Sequence, residues 1–244
     1  AAGANLMAQA MSANPKFLNA AGNQSKTQTR TAISTLARKY LTTNHASEHP
    51  HIQLASVWPR NELDLVPDIL YPSSDQPFSK IQEQVAAWPY ERKLEVLDTF
   101  IQEKSTAPAL SKAWYGWDLI SPYHVFRQLQ AAPALSLEAQ PLTPRLGYDV
   151  PPDIEEAGLI EPFEKCFNLS LELYSLLQKA GYSQEARYAT LHGHRVRWKL
   201  THTAAQAMAL FGTAGITHET RQFLCRLKAK LTETHPTLGE ILES

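Results

Sequence analysis

Two histidines that stand two residues apart, His192 and His194, are the first candidates for chemistry in this sequence. On a strand, side chains at alternate positions share one face, so the pair could hold a metal ion. No nearby cysteine or carboxylate completes a ligand set. Polar histidines at the start of a strand explain the pair better, and we predict no metal site.

The two cysteines, Cys166 and Cys225, are the next candidates because a thiolate can act as a nucleophile. A reactive cysteine needs a histidine or lysine partner that lowers its pKa, and the sequence shows no such partner for either residue. Two cysteines also do not form a disulfide framework or a zinc motif. We therefore interpret both as packing residues.

Basic and aromatic side chains offer two further kinds of binding site. A phosphate could be received by the basic cluster Arg187, Arg195, Arg197 and Lys199, although a solvated strand face explains that cluster equally well. The aromatic string Trp114–Tyr115–Gly116–Trp117 could stack on a flat ring, but aromatic residues more often form core. The sequence has no glycine-rich phosphate loop and no Gly-x-Ser-x-Gly elbow.

The composition is that of an ordinary folded chain. It has 244 residues, a net charge near −1 and 43% hydrophobic residues, which suits one large or two small domains. No run approaches 18 apolar residues, so we expect no membrane-spanning helix. Near-neutral charge makes nucleic acid an unfavoured partner of the whole chain.

Charge is distributed unevenly, however. Residues 1–60 contain six basic side chains and one acidic side chain, whereas the rest carries a net charge of −6. An acid-poor, hydroxyl-rich start resembles the end of an organelle-targeting segment, so a mitochondrial location is one expectation and a cytoplasmic one the other. The alternative is a basic arm that lies on an acidic surface. We predict an N-terminal arm over 1–60 and a folded domain over 61–244.

Hydrophobic spacing of three and four residues predicts a mainly helical chain. Alternation of Val196, Trp198 and Leu200 with basic residues predicts a half-buried strand within 187–202. Many prolines predict irregular structure over 45–78, apart from a short helix near 65–70, and over 133–152. The predicted helices are 27–41, 79–86, 90–104, 113–130, 153–181, 203–211 and 218–234.

Three ordered blocks, 126–130, 140–151 and 185–194, resemble the flavin-dependent thymidylate synthase (ThyX) family, and above all a branch with tandem ThyX-like units. The likeness covers about 123–240 and extends from about residue 62. It implies an α+β fold in which helices dominate and flank a central sheet.

Active members of that family bind FAD, dUMP and a folate at subunit interfaces of a homotetramer. Their signature is an Arg-His-Arg triplet, preceded by a glutamine that contacts nucleotide and followed by a serine. In this sequence Gln128 and Ser136 match the glutamine and the serine. The triplet positions are Ala131, Ala132 and Pro133, which carry no cationic group.

The downstream half of the signature differs as well. The family's asparagine and arginine at the start of the helix after the strand correspond to Thr203 and Ala205. A later histidine corresponds to Ala209, and a later arginine falls near Ala214. Arg187 matches an arginine that binds nucleotide phosphate.

The resemblance therefore implies a degenerate site, with Gln128, Ser136 and Arg187 as its remnants. We predict a non-catalytic structural or assembly subunit of a larger protein complex, a possible homo-oligomer, with no catalytic residue and no cofactor. The alternative is a divergent FAD-dependent thymidylate synthase that methylates dUMP, alone or with a second chain. A third hypothesis is a nucleic-acid-binding module that uses the basic segment 1–60.

Overall fold

A computed structural model describes residues 21–41, 50–102, 108–131 and 135–241. The chain divides into two compact units, Ala1–His49 and Pro50–Ser244. In the first unit, helix α1 (Ala21–Tyr40) confirms the helix predicted over 27–41 and exposes Ile33, Leu36 and Tyr40. The targeting hypothesis depends on the chain's start and stays a prediction, because residues 1–20 lie outside the described part.

The second unit is built on a four-stranded antiparallel sheet with the strand order β1-β2-β4-β3. Its strands are β1 (Ile52–Trp58), β2 (Trp114–Pro122), β3 (Ser136–Ala139) and β4 (Arg195–Thr203). Since β1 pairs with β2, residues 50–60 belong to this unit rather than to the arm that we expected over 1–60.

Helices surround this sheet, as expected for the α+β class. They are α2 (Val66–Leu70), α3 (Phe78–Ala86), α4 (Tyr90–Gln102), α5 (Tyr123–Gln130), α6 (Pro152–Glu156), α7 (Ile160–Lys179), α8 (Ala204–Phe211), α9 (His218–Thr234) and α10 (Pro236–Ile241). Among the described residues, no helix combines the length and the apolar character that a membrane span requires.

One face of the sheet forms the core, and strand β4 alternates buried and more accessible residues along its length. On β2 and β4, the side chains of Trp117, Trp198, Leu119 and Leu200 are at most 1% exposed. They pack with the buried faces of α4, α8 and α9 in one cluster. The other face of the sheet carries polar residues, among them Lys199 and Glu138.

The predicted helix over 113–130 is wrong in its first half. Residues 114–122 form β2, in which Tyr115, Trp117 and Leu119 alternate with less buried residues, and only 123–130 is helical. Aromatic residues favour a pleated, half-buried surface, so the period of two outweighed the helical spacing here.

Three other predictions need smaller corrections. Strands β1 and β3 lie in segments predicted to be irregular because of their prolines. The helix predicted over 153–181 is divided into α6 and α7 at Gly158, whose φ of 67° lies in the left-handed region. The strand predicted within 187–202 begins only at Arg195, after a short 3₁₀ helix at Glu185–Ala189.

Candidate functional site

Gln128, the match to the family's nucleotide-binding glutamine, has a structural partner in this fold. It lies in the last turn of α5, and its side-chain oxygen accepts hydrogen bonds from the backbone N–H of Thr217 at 3.2 Å and from the Thr217 hydroxyl at 3.3 Å. Thr217 is the N-cap of α9. The glutamine oxygen therefore joins two helices.

A second polar contact joins the same two helices. Nε2 of His124, in the first turn of α5, lies 2.6 Å from Oε2 of Glu219 in the first turn of α9. Together with Gln128, this pair connects α5 to the start of α9.

The signature triplet follows α5 directly. Ala131 is the exposed C-cap residue of that helix, and its methyl group offers no hydrogen-bond donor. Ala132 and Pro133 lie outside the described residues. Ser136 begins β3, is exposed, and pairs with Thr201 of β4.

Thr203 and Ala205, which stand at the family's asparagine and arginine positions, begin helix α8. Thr203 is its N-cap: its hydroxyl accepts from the Gln206 backbone N–H at 3.2 Å, while its own N–H donates to the Gln206 side chain at 2.8 Å. This reciprocal pair is a capping box, which satisfies two backbone donors at the helix start. Ala205 has no polar side-chain atom to offer beside it.

Arg187 lies in the 3₁₀ helix before β4 and is half-buried. Its side chain forms no ion pair with another described residue. Strand β4 has nine residues and thus spans about 27 Å, with Arg187 before its first residue and Thr203 at its last.

The other basic residues of the predicted phosphate cluster are matched with acids. Arg195 binds Asp149 through two hydrogen bonds, and this contact lowers the pKa of the Asp149 carboxyl. Nη1 of Arg197 lies 3.3 Å from a carboxylate oxygen of Asp118. These pairs favour a solvated strand face over an anion site at Arg195 and Arg197.

A shallow cleft of about 240 Å³ lies on the polar face of the sheet. Its charged walls are Asp118, Glu138, Arg197 and Lys199, and Lys199 is paired in register with both acids. Two acids and two bases balance each other, so the cleft has no excess charge with which to attract a phosphate.

The two predicted metal-binding candidates, His192 and His194, precede the strand and differ in environment. His192 is exposed, whereas His194 is 1% exposed and its Nδ1 accepts the Leu191 N–H at 2.9 Å. Burial lowers the pKa of His194. Among the described residues, no three His, Cys, Asp or Glu side chains converge in a metal-binding group.

The cysteines were predicted to be packing residues, and this is wrong. Cys166 and Cys225 are both exposed, on α7 and α9. Both helices are packed through other faces, which are formed by residues such as Phe167 and Leu224. The spacing identified the helices but did not identify which face each cysteine occupies.

Sequence reasoning missed a buried polar network behind the sheet. The Tyr115 hydroxyl lies 2.8 Å from Nδ1 of His235, and Trp117 Nε1 donates to Nε2 of His202 at 2.9 Å. Burial raises the pKa of Tyr115 far above its usual value and lowers the pKa of both histidines. The lowered pKa values favour the neutral form of both histidines in the folded protein.

The carboxylate of Glu62 completes this network. It is 8% exposed and accepts the backbone N–H groups of Thr237 and Leu238 at 3.0 and 2.9 Å, at the start of α10. Its charge also raises the pKa of Tyr115, and at His235 it partly offsets the lowering of the pKa by burial. Because the partners of Glu62 are about 175 residues away in sequence, no local pattern predicted them.

The described residues at the compared positions do not fit a flavin or nucleotide. Phosphate binding relies on charge-assisted donors, and arginine supplies them as a planar fork. Ala131, Thr203 and Ala205 offer no cation, and the Gln128 oxygen and the Thr203 hydroxyl already accept hydrogen bonds within the protein. Among the described residues at these compared positions, Arg187 is the one whose positive charge could contact a phosphate.

Comparison with known proteins gives distant relatives in sequence. No family model matches the chain. A UPF0159 protein of Chlamydia pneumoniae is 20% identical over 200 residues, which are 80% of this chain and 35% of that protein. A UPF0159 protein of Chlamydia muridarum is 21% identical over 206 residues, or 82% of this chain and 36% of that protein. The chain thus spans about a third of the length of these curated relatives.

Comparison of structures gives a clear likeness in fold. A UMP/dUMP methylase, PolB from Streptomyces cacaoi, solved with bound 5-Br dUMP, matches with a TM-score of 0.59 at 12% identity. The match covers 79% of this chain and 94% of the methylase chain. The α+β fold of the ThyX type, with helices around a central sheet, is therefore confirmed for this protein.

Proposed function

We propose that this chain is a non-catalytic, ThyX-like structural or assembly subunit of a larger protein complex, with a degenerate flavin and dUMP site. The observation that supports it most is the structural use of the two polar side chains at ligand positions. The oxygen of Gln128 accepts from the N-cap of α9, and the hydroxyl of Thr203 caps α8. Both groups stabilise helix starts within the chain.

The replacements at the neighbouring positions explain why ligand binding would be weak. A hydrogen bond to a charged group contributes about 1.5–3 kcal/mol, and Ala131 and Ala205 can form none. Since each 1.4 kcal/mol changes a dissociation constant about tenfold, two missing arginines weaken binding by a factor of about 10² to 10⁴.

The direct test is flavin content. The purified chain is incubated with excess FAD, passed over a desalting column, and examined by its absorbance spectrum near 450 nm. We expect no retained flavin. Retention of one FAD per chain, or per defined oligomer, would show that the site is intact and would overturn the proposal.

The second candidate function is a divergent FAD-dependent thymidylate synthase that methylates dUMP. Arg187 favours it, because a half-buried arginine that forms no ion pair among the described residues is available to an anion. The structural likeness to a methylase solved with 5-Br dUMP also supports it. A second chain would have to supply the missing cations near Ala131 and Ala205.

Thermal denaturation with and without millimolar dUMP distinguishes the two functions. A ligand present at 100 times its dissociation constant stabilises the folded state by about 2.7 kcal/mol. The non-catalytic proposal predicts no shift of Tm. A shift that is lost in Arg187→Ala but kept in Arg145→Ala, an exposed arginine on another segment, would support the enzyme.

A further inference from the structure

Helix α7 has two apolar faces, of which one is used inside the unit. Phe163, Phe167 and Tyr174 form the packed face: the Phe167 ring lies 4.1 Å from the ring of Tyr148 and 4.6 Å from that of His194, measured between centroids. On the same face, the Ser170 hydroxyl donates to the backbone oxygen of Ala189 at 2.5 Å. This face anchors the helix to the rest of the unit.

The second apolar face of α7 is exposed. Its three leucines, Leu169, Leu173 and Leu176, are 55%, 50% and 56% exposed. The complete stripe is Pro162, Cys166, Leu169, Leu173, Leu176 and Ala180, all of them exposed. Its spacing alternates strictly between four and three residues, which is the pattern of helices that pack against another helix along a seam. In a monomer, that seam would leave three leucines in water.

We propose that the leucine stripe of α7 is a self-association surface, on which the same helix of a second copy packs in antiparallel orientation. A two-fold interface uses the same patch twice, so the patch must complement itself. Pairing centred between Leu173 and Leu176 places each of these residues against the other in the second copy. It also sets Leu169 against Ala180 at both ends.

The charges beside the stripe support a second copy as the occupant and oppose the register centred on Leu171. Lys165, Glu172 and Lys179 follow one another at seven-residue intervals along one edge of the stripe. In the register centred between Leu173 and Leu176, Glu172 faces Lys179 of the second copy, and the pair occurs twice. A register centred on Leu171 would instead oppose Glu172 to Glu172 and Lys165 to Lys179, which repels.

This interface does not depend on the proposed function, because it concerns a surface of α7 and no ligand position. The test is the mass of the full chain by sedimentation velocity between about 1 and 100 μM, where association by mass action is visible. We expect a dimer at the upper concentration. A monomer throughout would overturn the proposal.

Two substitutions locate the interface on the stripe. Leu173→Glu should give a monomer with an unchanged far-ultraviolet circular dichroism spectrum, because the side chain is 50% exposed. The matched control is Leu171→Glu, on the same helix but off the stripe and 39% exposed, which should remain dimeric. A dimeric Leu173→Glu variant, or equal loss of the dimer in both variants, would show that the stripe is not the interface.

A charge exchange tests the register with surface changes alone. Glu172→Lys or Lys179→Glu should each raise the dimer dissociation constant about tenfold, because each creates two like-charge pairs. The double variant Glu172→Lys/Lys179→Glu should restore dimerisation. Within one helix these residues are seven apart and do not face each other, so restoration reports on contact between copies. Failure of the double variant to recover would overturn the register.

Discussion

The last residues of β4 and the first residues of α8 differ in what their side chains do, although they adjoin. Leu200 and His202 face the core, are at most 1% exposed, and His202 accepts a hydrogen bond from Trp117. Thr203 and Ala205, one and three residues later, lie at positions where the ThyX resemblance expects ligand contacts. There the side chains are small or cap a helix.

The same contrast appears at α5. Phe126 and Leu129 are buried in the core, whereas Gln128 joins α9 and Ala131 ends the helix without a polar side chain. Phe126 and Leu129 pack in the core, whereas Ala131, Thr203 and Ala205 carry no cationic group. This contrast supports retention of the fold without retention of the ligand site, and it can be tested by substitution on each side.

The largest expected effect is on the packing side. Trp198→Ala should destabilise the protein by about 3–5 kcal/mol, because the ring is 1% exposed and packs against Phe126 and Phe223. It also removes the hydrogen bond from Trp198 Nε1 to the Ser121 hydroxyl. Urea denaturation measures the change.

The control for this prediction is the next residue along the strand. Lys199→Ala, on the exposed face, should change stability by about 0.5 kcal/mol or less. Equal losses at the two positions would contradict the assignment of the core to one face of the sheet.

The second-largest effect is expected from acid, which should destabilise the packed region through its buried histidines. Burial lowers the pKa of His194, His202 and His235 in the folded state below the unfolded value near 6.5. Protons then bind preferentially to the unfolded chain, so stability is complete above pH 6.5 and falls as the pH drops below it. The slope approaches about 1.4 kcal/mol per pH unit for each histidine until its folded pKa is reached.

Denaturation midpoints in urea at pH 7.5, 6.5 and 5.5 measure this dependence. His202→Gln keeps an acceptor for Trp117 and removes one titrating group, so its midpoint should fall less steeply with pH than that of the unmodified protein. Identical slopes would show that His202 does not contribute. The Asp149 carboxyl, whose pKa is lowered by Arg195, becomes protonated only below this pH range. It therefore does not affect the comparison of the two slopes.

Much of the fold was predictable because helices carry a signal within a few turns. The helix over 218–234 is found with the predicted bounds, and α8 begins one residue after its predicted start because Thr203 is the cap. Strand β2 was not predicted, because the residues Trp114–Trp117 fit both a helical spacing and the strand period of two. The choice between them requires knowledge of the pairing with β1 and β4. Pairing between distant segments decides such cases.

The candidate site was predictable in composition but not in contacts. The sequence alone shows that the side chains of Ala131 and Ala205 have no hydrogen-bond donor. It did not indicate that Gln128 binds Thr217, 89 residues away, or that Tyr115 meets His235 across 120 residues. Long-range hydrogen bonds depend on how the elements pack, and local spacing has no information about them.

A smaller effect is expected at Gln128, which stands at a compared position and has a hydrogen-bond partner within the fold. Gln128→Ala should lower stability by about 1 kcal/mol, because the Thr217 N–H and hydroxyl lose their acceptor at the start of α9. Gln130→Ala is the control, since that exposed side chain accepts a hydrogen bond from Arg127, three residues earlier on the surface of the same helix. Unchanged stability in Gln128→Ala would show that the contact is not stabilising, and the structural role would be wrong.

The smallest effect is expected from restoring one signature residue. Ala131→Arg should change stability by about 0.5 kcal/mol or less, because position 131 is exposed and a cation suits the C-terminal end of α5. Ala131→Glu is the matched control and should be slightly less stable, since an anion at that end opposes the helix dipole. Neither variant should gain a dUMP-dependent shift of Tm, because Thr203 and Ala205 still supply no cation at the other compared positions. If Ala131→Arg alone gained such a shift, a single arginine would be enough for dUMP binding. The proposed contrast between packing positions and ligand positions would then be wrong.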